Sequence, residues 1–375
     1  MDIKAGILLD LGNSETRLTL LTGGKCIPMT LSNRFAHLDS NYKIPREYSN
    51  NDKSRVFCYN NIYWANGALA DREFSTSIMR PSATQQKTGE IIGKLTLNLA
   101  FIVVLEELAK MNNVEVSDLK ATFNVSVLLP PLEHSVQSAN MEAEIRAMKE
   151  VVSFIPKNYI VPFEIDEVKV YPEGVASFFG VYFKEVDGTL VETEENKMFG
   201  TGTVLILDIG AGTTDLVLIK DTELLVNSKE TFALGGNSVR AALKRLVKTN
   251  YNYSATDEVL DSAIQNGLLE QGAKMIDVTQ LITDAKRDYS LNMRNQLQTY
   301  IEAQQIDPAS IKGLLVVGGG SLATENDGKV VSPSMADILV DYLHDLAPNI
   351  GLVSLLGQNP RLLNIIGLKY IHKYA

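Results

Sequence analysis

Cysteine is nearly absent: Cys26 and Cys58 are the only two in 375 residues. That excludes a disulfide framework and a cysteine-rich zinc site. Histidine is as sparse, and His37, His134, His344 and His372 lie scattered without the spacing of metal ligands. Positive charge is not in excess either. Lys and Arg number 35 against 45 Asp and Glu, a net charge of −10, which argues against a broad basic surface for gripping nucleic acid directly. Any link to DNA is expected to run through another protein. No apolar run reaches the roughly 18 uninterrupted residues of a spanning helix. The strand-like pattern from Ile3 onward leaves no room for a signal peptide. The expectation is a cytoplasmic protein without a membrane partner. Apolar residues make up 45% of the chain, enough for two domains or one large one.

One loop is present twice. Leu8 to Leu20 reads Leu-Leu-Asp-Leu-Gly-Asn-Ser-Glu-Thr-Arg-Leu-Thr-Leu, and Ile206 to Leu218 reads Ile-Leu-Asp-Ile-Gly-Ala-Gly-Thr-Thr-Asp-Leu-Val-Leu. Asp10, Gly12 and Thr16 each recur 198 positions later as Asp208, Gly210 and Thr214. Each copy reads as a strand, a turn of small residues and a second strand. Such a turn aims successive backbone N–H groups at one point, with the hydroxyls of Ser14, Thr213 and Thr214 as further donors, which is the chemistry of phosphate binding. An Asp ending the first strand would repel a phosphate unless a cation lies between. Asp10 and Asp208 are therefore candidate Mg²⁺ partners acting through water.

Between the copies, Ser32 to Thr88 is polar, with turn residues at Asn50-Asn51-Asp52 and a hairpin expected around Asn60-Asn61, and reads as a small inserted lobe. Leu95 to Lys110 has helical spacing, Ala121 to Leu129 reads as a buried strand stopped by Pro130-Pro131, and Glu142 to Val152 as a helix. A strand at Glu167 to Tyr171 leads through Pro172 into a helix starting near Glu173. After the second copy come a strand near Glu230 to Ala233, then Leu234-Gly235-Gly236-Asn237 before a helix running to about Lys248. Tyr251 to about Ala303 is expected to be mainly helical. There Lys286-Arg287 is either a contact for adenine or ribose, or a solvated helix face. A short strand, Leu314 to Val317, ends in Gly318-Gly319-Gly320-Ser321, where backbone can approach a flat ligand closely.

Asp10-Leu11-Gly12…Arg17, Pro172-Glu173-Gly174, Asp208-Ile209-Gly210-Ala211-Gly212-Thr213-Thr214-Asp215, Leu234-Gly235-Gly236 and Gly318-Gly319-Gly320 together resemble the actin, heat-shock chaperone and sugar kinase superfamily. The inserted lobes, Ile62 to Ala70, Val127 to Pro130 and Asn359 to Leu368 resemble in particular the plasmid-segregating ParM type of actin-like protein. The resemblance implies an α/β actin-like fold with two related domains on ribonuclease H-like mixed sheets flanking a nucleotide cleft. Domain I would comprise 1–178 plus 355–375 with a lobe at about 32–88. Domain II would comprise 179–354 with a lobe at about 240–303.

It also implies roles. Glu173 would position or polarise the attacking water, while Asp10 and Asp208 organise the waters of Mg²⁺ and Asp215 either joins them or finishes the turn. Gly12, Asn13, Ser14, Gly210, Ala211, Gly212, Thr213 and Thr214 would hold the phosphates. Arg17 stands where actins carry a phosphate-contacting lysine. Gly235, Gly236, Asn237, Gly318, Gly319, Gly320 and Ser321 would flank the nucleoside. The implied activity is hydrolysis of ATP, with GTP as the alternative nucleotide, coupled to filament growth and collapse. The implied partners are further copies of the chain and a DNA-binding adaptor. A small-molecule kinase of the sugar kinase branch and a non-polymerising ATP-dependent scaffold are the competing readings.

Overall fold

The structure, a computed structural model, describes residues 2–12, 15–39, 41–45, 48, 54–74, 76–79, 86–155, 157–319 and 322–374. The expected turn at Asn50-Asn51-Asp52 and the site residues Asn13, Ser14, Gly320 and Ser321 lie outside these described residues. Internal contacts divide the chain into two compact units, Met1–Pro172 and Glu173–Ala375.

The first unit opens with a meander of β1 (Asp2–Leu11), β2 (Glu15–Thr22) and β3 (Lys25–Ser32). It continues through β4 (Phe35–Leu38), β5 (Ser54–Tyr59), β6 (Ile62–Gly67), α1 (Ala68–Glu73), α2 (Ile91–Asn112), β7 (Lys120–Leu129), α3 (Pro131–Ala147), β8 (Glu150–Ile155) and β9 (Tyr159–Pro172). The sheet order is β3-β2-β1-β7-β9-β8-β5-β6-β4, with β7 parallel to β1 and to β9. β1 is buried from Ala5 to Leu11, the continuous apolar reading of a strand covered on both faces. α2 buries residues all around its circumference, among them Leu95, Leu97, Leu99, Phe101 and Ile102. A helix apolar on every side belongs inside a domain.

The second unit runs through α4 (Val175–Tyr182), the hairpin β10 (Phe183–Val186) and β11 (Thr189–Glu192), and the strands β12 (Thr203–Ile209), β13 (Thr214–Lys220) and β14 (Glu223–Phe232). There follow α5 (Gly236–Tyr251), α6 (Asp257–Asn266), β15 (Leu268–Gln271), β16 (Lys274–Asp277), α7 (Thr279–Ala303) and β17 (Ile311–Val317). β18 (Thr324–Asn326), β19 (Lys329–Ser332), α8 (Met335–Leu343), β20 (Gly351–Leu352) and α9 (Leu363–Tyr374) complete it. Its main sheet, β14-β13-β12-β17-β20, repeats the order β3-β2-β1-β7-β9 of the first unit. The duplicated loop is therefore the first hairpin of a duplicated fold, turning from β1 into β2 and from β12 into β13.

Several sequence expectations shift. Pro131 does not merely stop β7. It opens α3 at the first helical position, where its missing N–H costs nothing. The expected helix over Glu142 to Val152 therefore starts earlier, ends at Ala147, and gives way to β8. The strand at Glu167 to Tyr171 extends back to Tyr159, paired with β7 and β8. The hairpin at Asn60-Asn61 forms as expected, both residues adopting left-handed φ of 52° and 61°. The polar stretch around it completes its sheet with β8, which comes from outside the 32–88 segment. The mainly helical stretch after Tyr251 includes the unforeseen hairpin β15–β16.

The end of the chain packs within the second unit, whereas the resemblance groups 355–375 with the first domain. α9 lies against α4, and Leu363 joins Phe178, Val181, Phe199, Val204 and Ile206 in one core. This crossing is a backbone contact. A Cβ on Gly367 would stand 1.6 Å from the Ala176 carbonyl oxygen, and one on Gly180 would stand 2.9 Å from that of Leu363.

Lys286 and Arg287 separate. Arg287 is exposed and pairs with Asp284, but Lys286 is only 1% exposed. Its ammonium donates to Thr324 Oγ1 at 3.0 Å, to the Pro333 carbonyl at 2.8 Å and to the Leu322 carbonyl at 3.5 Å. Lys286 thus ties α7 to the 322–333 segment, and its three donors are all used within the protein. Burial pushes its pKa down to about 8, opposed by the charge of Asp337.

Three outcomes follow. Gly367→Val should destabilise the second unit by about 3 kcal/mol or more, because a rigid helix backbone has to move. Gly188→Asn, at a left-handed turn with nothing within 4 Å of a new Cβ, should lower the thermal melt far less than Gly367→Val, because only backbone strain opposes it and Asn tolerates that conformation best. Between pH 8 and 10.5 the unfolded chain holds the Lys286 proton that the folded chain has released. Wild-type stability relative to Lys286→Met should therefore rise across that window by up to ~3 kcal/mol, measured by urea unfolding at each pH. A flat difference would mean that Lys286 is not desolvated.

Candidate functional site

In the first unit, strand register sets Asp10 opposite Arg17 and Leu11 opposite Thr16. Asp10 is 3% exposed, and Arg17 Nη1 stands 3.5 Å from its Oδ2. Burial raises the Asp10 pKa above the usual carboxylate value, countered by the charges of Arg17 and Lys87. A desolvated carboxylate of this kind is stabilised by further positive charge. The turn itself is tight. A Cβ on Gly12 would meet the Glu15 carbonyl oxygen at 2.5 Å.

Two residues that sequence reasoning passed over shape this loop. Asn33, buried beside the turn, donates to the Gly12 carbonyl and accepts from Thr16 Oγ1 at 3.0 Å. Glu133 accepts the backbone N–H groups of Lys87 and Thr88 at 2.8 and 2.7 Å, holding the segment whose cation acts on Asp10. No motif marks either residue. An amide within the polar 32–88 stretch and an acid in a helix's first turn are common surface features.

In the second unit the loop from Gly210 to Thr214 is clasped by the start of α5. Gly210 N donates to the Thr213 carbonyl at 2.9 Å, Gly236 N to the Gly210 carbonyl at 2.9 Å, and Asn237 N to the Ala211 carbonyl at 2.7 Å. In a planar trans peptide each carbonyl points opposite the following N–H. With the carbonyls of Gly210 and Ala211 turned toward α5, the N–H groups of Ala211 and Gly212 turn away from it, in a loop where Ala211 is exposed. The approach requires Gly235, since a Cβ there would meet Gly212 C, Thr213 N and Ala211 O at 2.7–2.8 Å. Gly235 and Gly236 thus shape the phosphate-type loop before they shape any nucleoside pocket. The Asn237 side chain is taken by Arg240, which donates to it at 2.7 Å.

Thr214 departs from its expected use. It is fully buried, and its hydroxyl is engaged by the Leu234 carbonyl and by the Tyr289 hydroxyl, both at 2.7 Å. The hydroxyl therefore fastens β13 to α7 and is engaged within the protein, in place of the phosphate contact expected of it.

The two copies differ in charge at two places, Glu15 against Thr213 and Arg17 against Asp215. The position of Arg17 in the first hairpin is that of Asp215 in the second, so Asp208 faces another carboxylate across β12 and β13. Like charges directly opposite one another repel. Thr231 Oγ1 donates to Asp215 at 2.5 Å, and Asn364 Nδ2 donates to Asp208 Oδ2 at 2.8 Å. The pair of hard oxygen donors fits Mg²⁺ held through water, and among the described residues no cluster of three His, Cys, Asp or Glu forms a direct cage.

Glu173 follows β9 immediately and is buried at 7% exposure. Gly174, at φ 80°, turns the chain into α4, which starts at Val175. Gly318, at φ 89°, ends β17 against the Asp208 strand. A Cβ there would meet Asp208 Oδ1 at 2.4 Å and the Ile209 carbonyl oxygen at 2.6 Å. Gly318 therefore makes room for Asp208, whereas Gly319 is exposed and would carry its Cβ 3.3 Å from Arg361 Nε. Within the first unit the described candidates Asp10, Gly12 and Arg17 share one hairpin. In the second, Glu173, Asp208, Gly210 to Thr214, Gly235 to Asn237, Gly318 and Gly319 gather around the end of β12.

Comparisons with known proteins bear on the fold. Residues 206–327 match the family described as archaeal actin homologue MreB-like, C-terminal. No curated protein matches the sequence. The solved structure of Ta0583, an archaeal actin homologue, is 14% identical over 98% of this chain and 98% of its own, with a TM-score of 0.71. ParM of Bacillus thuringiensis, solved with ATP, is 16% identical over 98% of this chain and 97% of its own, with a TM-score of 0.63. ParM from Clostridium botulinum, solved as a 15-stranded filament, is 16% identical over the full length of both chains, with a TM-score of 0.62. The chain has the actin-like fold shared by ParM and archaeal actin homologues.

Proposed function

We propose that this protein binds and hydrolyses ATP with Mg²⁺ and assembles into dynamic filaments. The observation that carries the reading is the second loop, whose Gly210 and Ala211 carbonyls are held by the start of α5 so that the following amides turn away from that helix, in a loop that follows the Asp208 strand. Convergent backbone N–H groups form an anion-binding nest. Paired carboxylates at the same strand end would repel an anion on their own and therefore call for a cation with it. The archaeal actin homologue has also been solved with ADP, and the ATP bound to one ParM and the filament formed by the other support the same reading here.

In this reading the loop amides and Thr213 bind phosphate oxygens in the second unit, and Gly12, Asn13 and Ser14 serve phosphates from the first. Asp10 and Asp208 orient waters around Mg²⁺, which neutralises charge on the phosphates when bound. Glu173 accepts a hydrogen bond from the attacking water and aligns it for in-line displacement. Its burial limits the number of orientations its carboxylate samples. Hydrolysis then weakens older filament, so that growth and collapse move a cargo. The finer part of the proposal is that the cargo is plasmid DNA in the cytoplasm, reached through a DNA-binding adaptor. The net charge of −10 supports an indirect link.

Light scattering tests the assembly. Mg-ATP should produce polymer above a critical concentration, and the polymer should decay as ATP is consumed. Glu173→Ala should lower turnover about 100-fold or more, the scale of a lost general base or water-positioning group, and should give polymer that persists. ATP hydrolysis by a protein that stays monomeric at every concentration would remove the filament claim. Unchanged turnover in Glu173→Ala would remove the role of Glu173.

A further inference from the structure

We propose that Asn364 is a positioning residue that couples the Glu173 junction to the carboxylate of Asp208, an inference that rests on the ATPase reading. Asn364 is buried near the start of α9. Its Oδ1 accepts from Gly174 N at 3.2 Å and from Ser177 Oγ, while its Nδ2 donates to Asp208 Oδ2 at 2.8 Å. Chemistry allows only this orientation of the amide. A flipped group would set NH₂ against the Gly174 N–H and a carbonyl oxygen against a carboxylate.

The two ends of the side chain act on different parts of the candidate site. The Gly174 N–H belongs to the same rigid peptide as the Glu173 carbonyl. Holding it fixes the backbone from which the Glu173 side chain projects. The opposite end makes a charge-assisted bond to one oxygen of Asp208, roughly twice as strong as a neutral hydrogen bond. A residue that served only to fasten α9 to α4 would need the acceptor alone. The donor to a half-buried carboxylate at the end of β12 sets where that charge sits. No other uncharged side chain of this length offers an acceptor at one tip and a donor at the other. Asp keeps the shape and the acceptor but loses the donor, and Ala loses both.

The test uses the full chain and three variants, Asn364→Ala, Asn364→Asp and Ser177→Ala. Turnover is measured at saturating Mg-ATP. Binding of a fluorescent ATP analogue is titrated with Mg²⁺ and, separately, in EDTA, and thermal melts are recorded alongside. Both Asn364 variants should lose tenfold or more in kcat and should shift the Mg²⁺ concentration for half-maximal nucleotide binding by at least fivefold. Their affinity for nucleotide in EDTA should stay within threefold of wild type. Ser177→Ala, which removes one donor to the same Oδ1 and leaves the Asp208 bond, should keep kcat within threefold. Asn364→Asp with wild-type turnover and wild-type Mg²⁺ dependence overturns the proposal. So does a fall in kcat matched by equal losses in EDTA binding and melting temperature, the signature of a purely structural role. If the wild-type chain binds nucleotide without hydrolysing it, the ATPase reading fails by itself, and the Mg²⁺ titration of Asn364→Asp still decides whether Asn364 acts on Asp208.

Discussion

The second unit depends on two helices touching where neither has a side chain. Gly367 of α9 lies against the Ala176 carbonyl of α4, and Gly180 lies against the Leu363 carbonyl, at separations no Cβ could share. Tertiary packing at this distance is unforgiving because helix backbones do not yield. From the crossing, one turn of α9 carries Asn364 to Gly174 and Asp208, and the segment before it brings the Pro360 carbonyl to Gly318 N at 3.2 Å. The end of the chain therefore organises the strand ends that carry the candidate site.

The same unit shows why a duplicated loop need not be a duplicated function. Both hairpins have an Asp at the end of the entering strand and a buried Thr after the turn. Across the register the first places Arg17, and the second Asp215. In the first copy a guanidinium offsets a desolvated carboxylate. In the second, two carboxylates are kept together by Thr231 and Asn364, an arrangement suited to a hydrated cation. The exchange of Arg17 for Asp215 at a fixed offset replaces a cross-strand ion pair with two facing carboxylates.

Much of this was legible in the chain. The turn of Asp, Gly and small residues marked both hairpins, and Asn60-Asn61 marked a third, because left-handed φ restricts which residues can serve. The glycines at 235 and 318 were read as flanking a nucleoside; in the structure what lies close to them is the protein's own loop and Asp208. The helix expected over Glu142 to Val152 was misplaced because Pro131 begins a helix as readily as it ends a strand. Asn33, Glu133 and Asn364 stayed invisible. Their roles come from partners tens to nearly two hundred positions away, and no local pattern records such a pairing.

Local chemistry in the sequence by itself determined the two hairpin turns of Asp, Gly and small residues, the carboxylates at their strand ends, and a Glu at a strand-to-helix junction. Only the tertiary structure decided which groups are spent and which remain. Thr214 and Lys286 carry polar atoms that look available in the sequence, yet folding consumes them at Leu234, Tyr289, Thr324 and Pro333. A buried polar group must find a partner, and which partner it finds depends on how distant segments pack.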